Sequence, residues 1–223
     1  MTYNPDIHHR RSIRLKGYEY SQAGAYFVTV CTQNRECLLG EIVDGEMRLN
    51  DAGRMIQRIW HEIPVHYSGV EVDAFVVMPN HIHGVVILVG AAPRGRPDVG
   101  NAASDTGQAR GPVPTMSSAL SGQARGPAPT MSLPDVVHRF KTMTTKLYID
   151  GVKQSGWSPF FNRLWQRNYY ERIIRNEDSL ARIREYIVNN PLQWALDREN
   201  PANVEANDSV GANNYSPLPW EER

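Results

Sequence analysis

The stretch FVVMPNHIHGVVIL, residues 75–88, constrains the fold more than any other part of the chain. It joins two apolar, β-branched segments, residues 70–78 and 81–88, across Pro79-Asn80. Runs of this length and composition bounded by a Pro-Asn break read as two buried strands. Side chains alternate along a strand, so His81 and His83 project from one face while Ile82 points to the other. Two imidazoles on one face can share one divalent ion, although a His-x-His pair at a strand end is also a common hydrogen-bonded surface feature. The position two residues on is Val85, which argues against hydrolases that use three alternating histidines.

The remaining elements follow from local pattern. Residues 25–32 (AYFVTVCT) read as a strand, and residues 41–49 as a hairpin turning at Asp44-Gly45, a dipeptide that accepts positive φ. Met55, Ile56, Ile59, Trp60 and Ile63 have helical spacing over residues 51–63, with Asn50 or Asp51 as cap. A basic helix is expected over 133–148, short extended pieces at 164–166 and 170–174, and a helix from Asn176 to Asn189 or Asn190, stopped by Pro191. This order predicts an α+β fold, a mainly antiparallel sheet with helices covering one face.

Two regions read differently. Residues 90–132 are rich in Gly, Pro, Ala and Ser and hold a near-repeat, GQARGPVPTMS at 107–117 and GQARGPAPTMS at 122–132. Two copies are too few for a solenoid, and this composition predicts a flexible insertion. Residues 198–223 predict a loosely ordered tail. With residues 1–19 as a basic arm, the domain spans 20–197 and is interrupted at 90–132.

The chain of 223 residues carries 24 Lys and Arg against 24 Asp and Glu, which excludes a uniformly basic nucleic-acid binder. The charge is uneven: residues 133–175 hold eight basic and three acidic side chains, residues 176–223 four basic and nine acidic. A basic block of this kind suits an anionic partner or a solvated face. No apolar run approaches the ~20 residues that span a bilayer, so no membrane partner is expected. Two cysteines, Cys31 and Cys37, are too few for a disulfide scaffold and fit a reducing cytoplasm.

On the late helix Leu180, Ile183 and Ile187 form an apolar stripe, and Arg182, Tyr186 and Asn190 form a row along its flank. A tyrosine there is either packing or a half-buried hydroxyl directed at the sheet edge. Tyr169 and Tyr170, in a basic strand-like segment, are rival candidates for chemistry, or a base-stacking platform.

Taken together, FVVMPNHIHGVVIL, then LWQRNYYERIIRN, then REYIVNNP resemble the single-tyrosine HUH transposases, and within them most the REP-associated tyrosine transposases. The resemblance runs from about residue 10 to residue 196, outside the insertion. It implies a ferredoxin-like, RRM-like sheet with His81 and His83 on a central strand and Tyr186 as nucleophile. It also implies a further metal ligand one turn after the tyrosine, here Asn190, where relatives often carry Gln. The expected activity is metal-dependent nicking and rejoining of DNA, with Mg²⁺ or Mn²⁺, through a covalent phosphotyrosine. The expected partner is single-stranded or hairpin DNA, such as repetitive palindromic elements, in a bacterial cytoplasm near the nucleoid. The protein would act as monomer or homodimer. Arg10, Arg11, Arg14 and Lys16 of the arm and Arg139, Lys141 and Lys146 of the basic helix are the candidate DNA contacts. Two other classes compete: a hairpin-binding protein that does not cut, for which the histidines and tyrosine are unnecessary, and a small-molecule hydrolase, which leaves the basic helix and arm unexplained.

Overall fold

The computed structural model of the chain describes residues 18–89 and 131–203. The expected arm residues Arg10, Arg11, Arg14 and Lys16, residues 90–130 of the insertion and residues 204–223 of the tail lie outside the described residues.

β1 (Gly24–Cys31) is followed by a hairpin, β2 (Gly40–Val43) and β3 (Glu46–Leu49), whose turn residues Asp44 and Gly45 both have positive φ. Then come α1 (Asp51–His66), β4 (Val70–Val77), β5 (His81–Leu88), α2 (Leu133–Ser155), β6 (Tyr170–Ile174) and α3 (Glu177–Asn189). Caps set the helix starts. Asn50 accepts from Gly53 N at 2.9 Å and Asn176 from Ser179 N at 2.8 Å, bonds typically worth ~1 kcal/mol each. Ser132 and Asp135 form a reciprocal capping box at α2. Ser132, assigned by composition to the flexible insertion, thus belongs to the helix entry. α2 also runs about two turns beyond the expected residue 148 and stops at Gly156, which is left-handed at φ 68°. The extended piece at 164–166 is reduced to a single bridge between Trp165 and Thr32.

Four strands form one antiparallel sheet in the order β4-β5-β1-β6. With α1 and α2 as the crossovers, this is the βαββαβ arrangement of a ferredoxin-like fold, and the His-x-His strand β5 is central in it. Alternation divides the strands. Tyr26, Val28 and Val30 of β1 and Ile82, Val86 and Leu88 of β5 pack with α1 and α2 in one apolar cluster. Ala25 and Phe27 of β1 and Val85 and Ile87 of β5 pack with Leu180, Ile183 and Ile187 of α3 in a second. Helices therefore cover both faces, whereas only one covered face was expected. β5 is buried at all eight positions, and a strand apolar at consecutive positions is one with no solvent face.

Gly84 makes the first face fit tightly. A Cβ there would stand 2.4 Å from the Trp60 ring, which stacks on Phe75 with centroids 4.6 Å apart. The bulky indole thus lies directly against the backbone that carries His83.

Candidate metal and nucleophile site

The second face carries the polar residues. In the sheet register Thr29 stands opposite His83 on one side and Tyr170 on the other, and Cys31 stands opposite His81. Both histidines are buried, and burial holds both imidazoles neutral by pushing their pKa values down. His81 lowers that of His83 further, while the Asp197 and Glu199 carboxylates oppose the shift at His81. The outer ring nitrogens are occupied: His81 Nδ1 lies 2.9 Å from Asn80 Oδ1, and His83 Nδ1 lies 2.8 Å from Thr29 Oγ1. The inner nitrogens converge, Nε2 to Nε2, at 3.1 Å. Two ligands at right angles on an ion with bonds of ~2.1 Å would be separated by ~3.0 Å.

α3 brings the phenol. The stripe Leu180, Ile183, Ile187 seats the helix on the sheet, and Tyr186, flanking it, places its hydroxyl 3.4 Å from His83 Nε2. Desolvation by burial raises the Tyr186 pKa, and the carboxylates of Asp197 and Glu199 raise it further. A side-chain hydrogen bond from Asn190 opposes them. A phenol so placed keeps its proton until a positive charge arrives beside it. Arg182, one turn earlier, is exposed and is not among the groups acting on the phenol.

Past α3 the chain folds back through a 3₁₀ turn, Pro191–Leu196, and lays Trp194 and Asp197 over His81. Asp197 Oδ2 lies 3.7 Å from His81 Nε2. One donor atom from each of His81, His83 and Asp197 falls within 4.8 Å of the others, so these three side chains could hold one metal ion. Asn190 is 1% exposed and its Oδ1 has no hydrogen-bond partner. Two neutral imidazoles, a carboxylate and an unpaired amide oxygen form a mixed nitrogen and oxygen donor set that fits a divalent cation.

Asp197 was not singled out from sequence. It is the last residue before the stretch 198–223, rich in Asn, Asp, Glu and Pro, that reads as a loose tail. Residues 198–203 are in fact tied down: Glu199 is buried and pairs with Arg35 at 2.7 Å, and Asn80 Nδ2 donates to its carbonyl at 2.6 Å. The one available signal was Trp194 just after Pro191, an anchor residue in an otherwise polar run.

Of the rival tyrosines, Tyr170 shares the site face and packs edge-on to Phe27, while Tyr169 packs with the opposite cluster under Lys141. The basic helix is more mixed than expected. Lys141 Nζ donates to the carbonyls of Gln166 and Asn168, each at 3.0 Å, so it clips the segment before β6 to α2. Arg139 lies over the Tyr67 ring at 5.4 Å. Lys146 faces a groove of about 740 Å³ between α2 and residues 160–167, rimmed also by Lys141, Lys153, Arg163 and Arg167, with Phe160 and Trp165 in its wall. No helix among the described residues is long and apolar enough to cross a membrane.

No model of a protein family matches the chain. An uncharacterised protein of Haemophilus influenzae is 38% identical over 196 residues, covering 88% of this chain and 96% of the relative. Among solved structures the chain is similar to a candidate transposase from Deinococcus radiodurans, at 19% identity and a TM-score of 0.38, covering 80% of this chain and 97% of that one. It is also similar to a REP-associated tyrosine transposase bound to a REP hairpin, at 17% identity and a TM-score of 0.41, covering 92% of each chain.

Proposed function

We propose, for a chain that belongs to one family with the Haemophilus influenzae protein, that it nicks and rejoins single-stranded or hairpin DNA through a covalent phosphotyrosine on Tyr186. The carrying observation is the hydroxyl of Tyr186 at 3.4 Å from the inner nitrogen of a buried His-His pair that a carboxylate closes. The motifs around His81, His83 and Tyr186, which resemble those of the REP-associated tyrosine transposases, support the same reading.

His81, His83, Asp197 and Asn190 are the residues that would hold a divalent cation, Mg²⁺ or Mn²⁺. Such an ion supplies charge neutralisation at a non-bridging oxygen of the scissile phosphate. Tyr186 Oη attacks phosphorus, so that an Oη–P bond forms and the P–O3′ bond breaks. The phenol gives up its proton and the departing 3′-oxygen takes one up. The phosphoester bond is exchanged rather than hydrolysed, and a 3′-hydroxyl can later displace the tyrosine and rejoin the strand. Half-burial of Tyr186 beneath Phe27 and His83 keeps competing water away from the ester. The groove beside α2 provides cations that neutralise phosphates whatever the sequence, with Lys146 exposed in it and Arg139 on the adjoining helix surface.

A 3′-labelled hairpin oligonucleotide incubated with the protein and Mn²⁺ tests the reading. Cleavage through Tyr186 keeps the labelled 3′-side fragment on the protein as an adduct that survives denaturation, and Tyr186→Phe abolishes it while hairpin affinity is kept. Binding without any adduct in the wild-type chain leaves the non-cutting hairpin binder. Equal affinity for blunt duplex and hairpin removes the substrate part of the proposal.

A further inference from the structure

Asn80, the residue before the first histidine, is fully buried, and its amide can sit only one way round. Its Nδ2 lies 3.0 Å from the Arg35 carbonyl and 2.6 Å from the Glu199 carbonyl. Both partners only accept hydrogen bonds, so the nitrogen must occupy that side. The oxygen is then the atom that meets His81 Nδ1 at 2.9 Å. An amide oxygen cannot donate, so Nδ1 carries the imidazole proton, and in a neutral ring the lone pair is left on Nε2. That lone pair lies 3.1 Å from His83 Nε2 and 3.7 Å from Asp197 Oδ2, in the centre of the cluster.

The same amide governs the carboxylate. The Glu199 carbonyl is held by Asn80, the Glu199 side chain by Arg35 Nε at 2.7 Å, and the Glu199 N–H donates to Asp197 Oδ1 at 2.7 Å. With Oδ1 so engaged, Oδ2 is the oxygen turned towards His81. The backbone of Asn80 is itself fixed, since Thr32 donates to its carbonyl from both N–H, at 2.8 Å, and Oγ1, at 3.0 Å.

We infer that Asn80 is the positioning residue of the metal centre: one buried amide sets the Nδ1–H tautomer of His81 and anchors the strap that delivers Asp197. This rests on the reading that His81 Nε2 and Asp197 ligate a cation. Partners outside the ligand shell that orient a metal-bound histidine typically matter by about 10–100-fold in affinity. Asn80 would do so on two ligands at once, one through its oxygen and one through its nitrogen.

The two ends of the amide can be tested apart in the full chain. Long-range ¹H–¹⁵N correlation spectra of histidine-labelled protein, without metal, report the tautomer directly, and titration with Mn²⁺ reports affinity. The wild-type chain shows His81 as Nδ1–H. Asn80→Ala removes the acceptor, so His81 gains the Nε2–H form and Mn²⁺ binding weakens by about 10–100-fold. Asn80→Asp keeps an acceptor but loses both donor contacts; His81 stays Nδ1–H, while Mn²⁺ binding still weakens because Asp197 is released. Should Asn80→Ala fail to fold, the wild-type spectrum and Asn80→Asp still decide. An Nε2–H His81 in the wild-type chain overturns the inference, as do variants that bind Mn²⁺ like wild type. A wild-type chain with the Nδ1–H tautomer and Mn²⁺ binding, but no DNA adduct, overturns the proposed function and leaves the role of Asn80 standing.

Discussion

The two faces of the four-stranded sheet are cut from alternate residues of the same strands and have opposite characters. Towards α1 and α2, β1 and β5 present Tyr26, Val28, Val30, Ile82, Val86 and Leu88, closed by Trp60 and Phe140. Towards α3, the same strands present Phe27, Thr29, Cys31, His81 and His83. Each apolar side chain buried on the first face contributes ~1.5–3 kcal/mol. Burying imidazoles and carboxylates costs free energy unless each is bonded, and on the second face each has a named partner. The difference teaches a division of labour. A dry face holds the backbone still, and the residues one position along are thereby free to be chosen for chemistry.

The comparison breaks first at the histidines. His81→Ala or His83→Ala is expected to abolish Mn²⁺-dependent hairpin cleavage, read on a denaturing gel, while lowering stability in urea less than a core truncation does. If either variant unfolds as readily as a core variant, the faces are not divided in this way. Next in size is Ile56→Ala, at a fully buried position of the dry face, which should cost ~2–5 kcal/mol by urea unfolding and leave the adduct yield per folded molecule unchanged. Gly84→Ala tests the boundary between the faces: the added methyl meets the Trp60 ring, and overpacking of this kind costs ~1–3 kcal/mol. Because β5 must shift to relieve it, Mn²⁺ affinity should fall as well.

The smallest effect is expected where α3 is pinned to the sheet edge. Arg184 makes a fork with Asp73, Nε to Oδ1 at 2.9 Å and Nη2 to Oδ2 at 2.6 Å. Arg184 is 41% exposed, so solvent screening holds the pair to ~1 kcal/mol. The hydrogen bonds from Arg184 hold the Asp73 carboxyl below its ordinary pKa. A group with a depressed folded pKa stabilises above its unfolded value of ~3.9 and loses that contribution as pH falls through the folded value. Thermal unfolding of wild type and Asp73→Asn should therefore differ at pH 7 and converge below pH ~4.

Much of this was legible in the chain, and the reasons differ by element. The βαββ core follows from strand alternation and from the spacing of Met55, Ile56, Ile59, Trp60 and Ile63, because burial imposes those periods directly. The spacing of Leu180, Ile183 and Ile187 marked an apolar stripe on α3 but not which side of the sheet it covers. That answer lay in β5, whose unbroken VVIL leaves no face for water. Lys141 was legible as a cation, but its three backbone acceptors lie some 25 residues away and leave no local trace. Asp197 was hidden for a related reason: no periodic pattern marks it, and Glu199, whose N–H donates to it, is itself held by Asn80 and Arg35, more than a hundred residues earlier.

The order in which the cluster is filled along the chain has a consequence in time. The sheet has its last strand at Ile174, whereas Tyr186, Asn190 and Asp197 follow it, the last of them about 23 residues later. At synthesis rates of ~5–20 residues per second, the scaffold precedes the carboxylate by about one to five seconds. A chain folding as it is made would therefore hold its two histidines on a finished sheet, without phenol or carboxylate, until the final turn closes over them.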